Sequence, residues 1–199
     1  GCRAVTPPGE KLKGGGFRDK PCPLCGRTLA EPHARCFYLV EEGAPRSDKE
    51  APFVDGDALV GRYTRLRPTR RFKLGVAGWA YKEERLYKGP KLLLRQAGVG
   101  VAATYDFTDA RFPQSVYFYR VKPERAQAGL ANEFVLAALL SRAMAFYVFK
   151  RFGEVDPAKA MAKLTHERLA TLPIPTVDLE TREERGSHDA IVARVRRLL

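Results

Sequence analysis

Leu136, Leu139, Leu140, Ala143, Met144 and Tyr147 recur at intervals of three and four residues. That spacing places them on one face of a long helix, which Asn132 would cap at its start and Gly153 at its end. Asp156-Pro157 opens a second, weaker helix with Met161 and Leu164 inward. Ser187 would cap a last helix, with Ile191, Val192, Val195 and Leu198 on its apolar face and Arg194, Arg196 and Arg197 mostly outside. Upstream, between about Asp57 and Val121, the pattern changes. Lys91-Leu92-Leu93-Leu94-Arg95 is a short apolar run after Gly89-Pro90, the signature of a buried strand. Val99 to Tyr105 and Ser115 to Val121 are β-branched or aromatic runs broken by Gly98, Asp106, Asp109 and Pro113. Leu172-Pro173-Ile174-Pro175 is extended, because each proline restricts the residue before it. The class expected is α+β: a mainly antiparallel sheet followed by C-terminal helices. A small N-terminal lobe precedes them.

The divisions follow from the same pattern. Residues 1–21, with Pro7, Pro8 and Gly14-Gly15-Gly16, have little to bury and read as a flexible lead-in. Residues 22–55 hold a cysteine cluster and a loop, residues 56–178 the main domain, and residues 179–199 the closing helix.

Charge narrows the function. The 199 residues carry 35 Lys plus Arg against 23 Asp plus Glu, a formal net charge of +12. A field of that sign favours polyanions, either nucleic acid or an anionic membrane surface. A hydrophobic content of 45% is too high for a disordered chain. The longest apolar stretch, Phe134 to Phe149, is shorter than a bilayer span and has Arg142 within it, so nucleic acid is the better partner. No signal peptide is visible, and a start at Gly1 without an initiator Met reads as the boundary of something longer. A cytoplasmic setting with reduced thiols is therefore expected.

Two clusters carry chemistry. Cys22-Pro23-Leu24-Cys25-Gly26, followed by His33 and Cys36, has the form of a zinc knuckle. Its tight turn aims two thiolates at one metal, and four ligands leave no open position, so the zinc would be structural. A redox pair or uncoordinated thiols are the alternatives, and Cys2 could take the place of His33. The second cluster is Arg62, Arg65, Arg67, Arg70, Arg71 and Lys73, interleaved with Tyr63, Leu66 and Phe72. Such a run can be a solvated face. Here further cations recur at Lys88, Lys91, Arg95 and Arg111, where strands meet loops, and arginine both grips phosphates and reads guanine edges. Arg95 and Gln96 end a strand and are expected closest to the bases, on one continuous basic surface; Glu83 or Glu84 could instead pair with Arg95. Tyr117 reads as core packing, and His166 and His188 as surface or capping residues. Neither a glycine-rich cofactor turn nor an Asn-Pro-Pro-aromatic loop is present, so catalysis by this chain alone is not expected.

The order of these features resembles the C-terminal target-recognition domain of TaqI-like and type IIG adenine-specific DNA methyltransferases. The resemblance lies in Gly56-Asp57-Ala58-Leu59-Val60-Gly61-Arg62-Tyr63, in Lys88-Gly89-Pro90 with the strand to Arg95, and in Ala103-Thr104-Tyr105-Asp106. It continues through the helix bearing Leu139-Leu140-Ser141-Arg142, where the family's Asn before Ser is missing, to Leu172-Pro173-Ile174-Pro175. It covers about residues 56–199 and leaves the cysteine cluster outside. It implies sequence-specific recognition of double-stranded DNA beside a catalytic domain that binds S-adenosylmethionine, in a restriction–modification system, with an endonuclease fused in type IIG members. A zinc-ribbon nucleic-acid-binding module unrelated to methylation is the alternative.

Overall fold

A computed structural model describes residues 19–29, 39–59, 63, 65–76, 81–97, 100–152 and 163–199. Its centre is the triple-leucine strand β6 (Lys91–Arg95), with β7 (Ala103–Asp106) on one side and β8 (Val116–Tyr119) on the other, both antiparallel. Leu93 stands opposite Thr104 and Phe118. Side chains alternate across a strand, so the two faces of β6 serve different cores. Leu92 and Leu94 join Tyr105, Leu136, Leu139 and Met144, whereas Leu93 joins Val54, Leu59, Leu66, Tyr87 and Phe112. Burial of each leucine contributes roughly 1.5–3 kcal/mol, which fixes the register of this strand.

A second sheet has the order β3 (Val40–Glu42), β5 (Arg70–Lys73), β4 (Glu50–Phe53), again antiparallel. The stretch between the cysteine cluster and residue 55 reads as loop from sequence, yet β4 lies within it with Pro52 inside. Proline is tolerated there because β4 is an edge of its sheet. The edge continues into the central core: the Val54 N–H donates to the Arg111 carbonyl at 2.9 Å and the Arg111 N–H to that of Pro52 at 2.7 Å. The boundary expected at residues 55–56 thus divides strands of one sheet. The lead-in expected through residue 21 also ends earlier, because β1 (Lys20–Pro21) pairs with β2 (Thr28–Leu29).

The long C-terminal helix is two helices. After a short α1 (Pro123–Gln127), α2 (Asn132–Leu139) and α3 (Arg142–Phe152) meet at a 57° bend. Ser141 makes the break, its hydroxyl accepting the Met144 N–H at 3.0 Å as the cap of a new helix. Asn132 is not the cap of α2; Ala131 holds that position. The Asn132 side chain instead accepts the Val121 N–H at 3.0 Å and donates to the Tyr105 hydroxyl at 3.3 Å, tying α2 to the sheet. Gly153 and the expected Asp156 helix lie outside the described residues. A short α4 (His166–Ala170) follows, started by Thr165, whose side chain accepts the Arg168 N–H. The last helix, α5 (Arg182–Leu198), begins ahead of Ser187, which lies within it. Asp178 organises that start by accepting from the Glu180 N–H and the Thr181 hydroxyl, and these bonds hold its carboxyl below its ordinary range. His188 is buried, not superficial: it accepts the Ala131 N–H at 3.3 Å and packs on Phe134. Beside it, Arg196 of α5 bonds to Glu133 of α2 at 2.7 Å. Among the described residues, no single helix is long and apolar enough to cross a membrane.

Candidate nucleic-acid interface

The basic cluster divides into structural and exposed cations. β5 lies between two strands that carry acids, so its register sets Arg71 against Glu41, Arg70 against Glu42 and Lys73 against Glu50. Arg71 is 6% exposed. It sits 2.6 Å from Glu41 and 3.3 Å from Glu50 and donates to the Glu42 carbonyl. Lys73 and Arg71 together hold the Glu41 carboxyl below its ordinary value. Gly43 allows this packing: its φ is +102°, and an added Cβ would lie 2.9 Å from the Arg71 guanidinium. Arg70 pairs with Asp55 at 2.6 Å and Glu42 at 3.2 Å, over the Phe53 ring. Arg71 therefore holds a sheet together, and the expectation that it contacts DNA is corrected.

Lys91 requires the same correction. Alternation along β6 turns it inward with Leu93, and its side chain has 0% exposure. Its ammonium lies 2.7 Å from the equally buried Asp106 and donates to the Tyr87 carbonyl. A charge so placed cannot reach a phosphate.

The other expected contacts are graded. Arg95 keeps 26% of its side chain exposed and pairs with Asp57 at 3.3 Å, rather than with Glu83 or Glu84. Arg111 is 12% exposed, lies over the Tyr87 ring at 4.2 Å, and has Glu84 at 3.7 Å. Burial beneath it pushes the Tyr87 hydroxyl above its ordinary value. Arg65 and Arg67 are exposed. Arg62 lies outside the described residues. Among the described residues, the expected continuous basic surface is therefore interrupted, and Arg65, Arg67, Arg70, Lys88 and Arg95 are its accessible parts.

Gln96 is held rigidly. Its N–H donates to the Ser115 carbonyl at 2.9 Å, and its own carbonyl accepts the Leu164 N–H at 2.8 Å. Its side-chain amide donates to the Tyr117 hydroxyl at 2.7 Å. Both face a recess of about 520 Å³, which Gln114, His166, Phe112 and Phe118 also line. Tyr117 and His166 stack there at 4.4 Å between ring centres. Tyr117 packs against the core and His166 is exposed at the start of α4, as the sequence suggests for each alone; only the fold brings them together.

The expected zinc ligands are described in part. Between β1 and β2, the Gly26 N–H donates to the Cys22 carbonyl at 2.9 Å and the Cys22 N–H to that of Arg27 at 2.8 Å. Gly26 closes the turn with a φ of +70°. His33 and Cys36 lie outside the described residues, and among those described no three potential ligands converge on a metal position.

A basic α+β domain with arginines exposed ahead of β5 has the charge expected of a module that binds nucleic acid. The chain belongs to the family of TaqI-like C-terminal specificity domains, whose model matches residues 51–174. The match begins within β4, ahead of the boundary expected at residue 56. No individual curated protein matches the chain. Membership of this family gives it a DNA-recognition role alongside a methyltransferase domain, in restriction–modification.

Proposed function

We propose that this chain selects the double-stranded DNA sequence at which an adenine-specific methyltransferase, or a fused type IIG restriction–modification enzyme, acts. The family match over residues 51–174 carries this reading. The net charge of +12 supports it, because phosphate contacts supply much of the affinity of such domains. The methyltransferase domain contributes the S-adenosylmethionine site and the chemistry, and this chain contributes the choice of site. In this reading Arg65 and Arg67 grip phosphates and Arg95 contacts a base edge; the exposure of the first two and the hold of strand β6 and Asp57 on the third support it. Selection of bound duplexes from a randomised pool tests the reading. Enrichment of one short sequence is expected, and enrichment of none would refute it.

Cys22, Cys25, His33 and Cys36 are proposed to hold a structural zinc. The tight turn at Cys22–Gly26, with its closing backbone bonds and left-handed glycine, supports this. The lobe stands ahead of the matched residues, so its role is to stabilise the N-terminal hairpin rather than to select sequence.

A further inference from the structure

We propose that the recess lined by Gln96, Gln114, Tyr117 and His166 receives a single unstacked nucleobase of the bound DNA. This inference depends on the DNA-reading function proposed above and adds a ligand site to it. Side chains that read an intact duplex must protrude, because a helix or a strand ribbon has to enter the groove. Gln96 and Tyr117 do the opposite. They are half-buried and face a cavity of about 520 Å³, within the range of sites that enclose a small planar ligand. For these groups to meet a base edge, the base must come to them.

The chemistry of the lining matches such a guest. A base held outside the stack is recognised by hydrogen bonds to its pairing edge and by contact with aromatic faces. The Gln96 amide uses one donor on the Tyr117 hydroxyl, which leaves its oxygen and second N–H, and the Tyr117 proton, to face the recess. Gln114 is exposed at the rim and can add a second amide. Phe112 and Phe118, at 5.9 Å between ring centres, and the Tyr117–His166 pair supply the faces. Backbone bonds from Gln96 to both Ser115 and Leu164 fix the floor, so the pocket is formed before any ligand arrives.

The test uses the whole chain and the duplex it enriches from a randomised pool. Each position is altered in turn by placing an abasic analogue opposite it, which removes the pairing that extrusion must break. At one position this should tighten binding by roughly tenfold or more, since the bound base no longer has to be unpaired from its partner. Gln114→Ala and His166→Leu, both at exposed positions, should reduce that gain to about twofold or less. Their circular dichroism melts should match the parent chain. If sequence-selective binding persists and no position shows the gain, or if the gain survives both substitutions, the base pocket is refuted and the DNA-reading function stands. If no sequence is enriched at all, both fall together.

Discussion

Lys91→Met is the substitution whose consequence the structure specifies most closely. The Lys91 and Asp106 side chains have no exposure, and their charged atoms are 2.7 Å apart. Asp106 is committed to its position: its other oxygen accepts the Thr108 N–H and hydroxyl, each at 2.7 Å. Methionine has a similar length and apolar character, so packing is largely kept while the counter-charge is lost. Removing one partner of a buried pair leaves an uncompensated charge and costs about 3–5 kcal/mol. Against a typical total of about 5–15 kcal/mol, that is a large share of the stability of the domain. Urea unfolding followed by far-ultraviolet circular dichroism measures it directly. The double substitution Lys91→Met, Asp106→Asn should recover a substantial part of the loss, because the uncompensated charge is removed while the amide oxygen still accepts from Thr108. A cost below about 1 kcal/mol, together with a salt dependence of DNA binding reduced by about one, would refute the reasoning and restore Lys91 as a phosphate contact.

Arg65→Ala and Arg67→Ala should each weaken binding to all duplexes and lower the slope of log affinity against log salt by about one, measured by titration over a range of salt; an unchanged slope would count against them as phosphate contacts. Glu41 is held below its ordinary pKa of 4.5 by Lys73 and then Arg71, so its contribution to stability is whole above that value and disappears as the pH falls through the lower folded value. Unfolding midpoints measured across that acidic window should therefore fall less steeply in Glu41→Gln than in the parent chain. Protein purified without added metal should contain about one zinc per chain by elemental analysis, and Cys25→Ser should remove it; four freely titratable thiols in native protein would contradict the zinc lobe.

The triple leucine of β6 was legible in sequence because a strand buried on both faces needs an unbroken apolar run, and no helical spacing competes with it. The apolar face of α2 and α3 was legible too, but not the break between them, since Ser141 interrupts the helix without interrupting the hydrophobic period. What failed in the basic cluster was long-range pairing. Arg71 and Lys73 look available until Glu41 and Glu50 are placed on the neighbouring strands, and β4 is hidden by Pro52 in a stretch of loop-like composition. Had those acids been read as strand residues, alternation would have paired them with β5. Lys91 misled for a related reason, because an ammonium at a strand start reads as exposed unless Asp106 is known to face it. The recess had no local signal at all: Gln96, Gln114 and His166 belong to three separate segments, and only the antiparallel pairing of β6 with β8 and the return of the chain at α4 bring them together.

In the proposed division of labour this chain chooses the site and a methyltransferase domain supplies the chemistry. Base-by-base mapping of methylation, before and after residues 51–174 are exchanged for the corresponding segment of a TaqI-like enzyme of different specificity, tests it most directly. The modified base is expected to remain adenine while the surrounding sequence changes to that of the donor, and the sequence lost should be the one the isolated chain enriches. Methylation at unchanged sites after the exchange would contradict it.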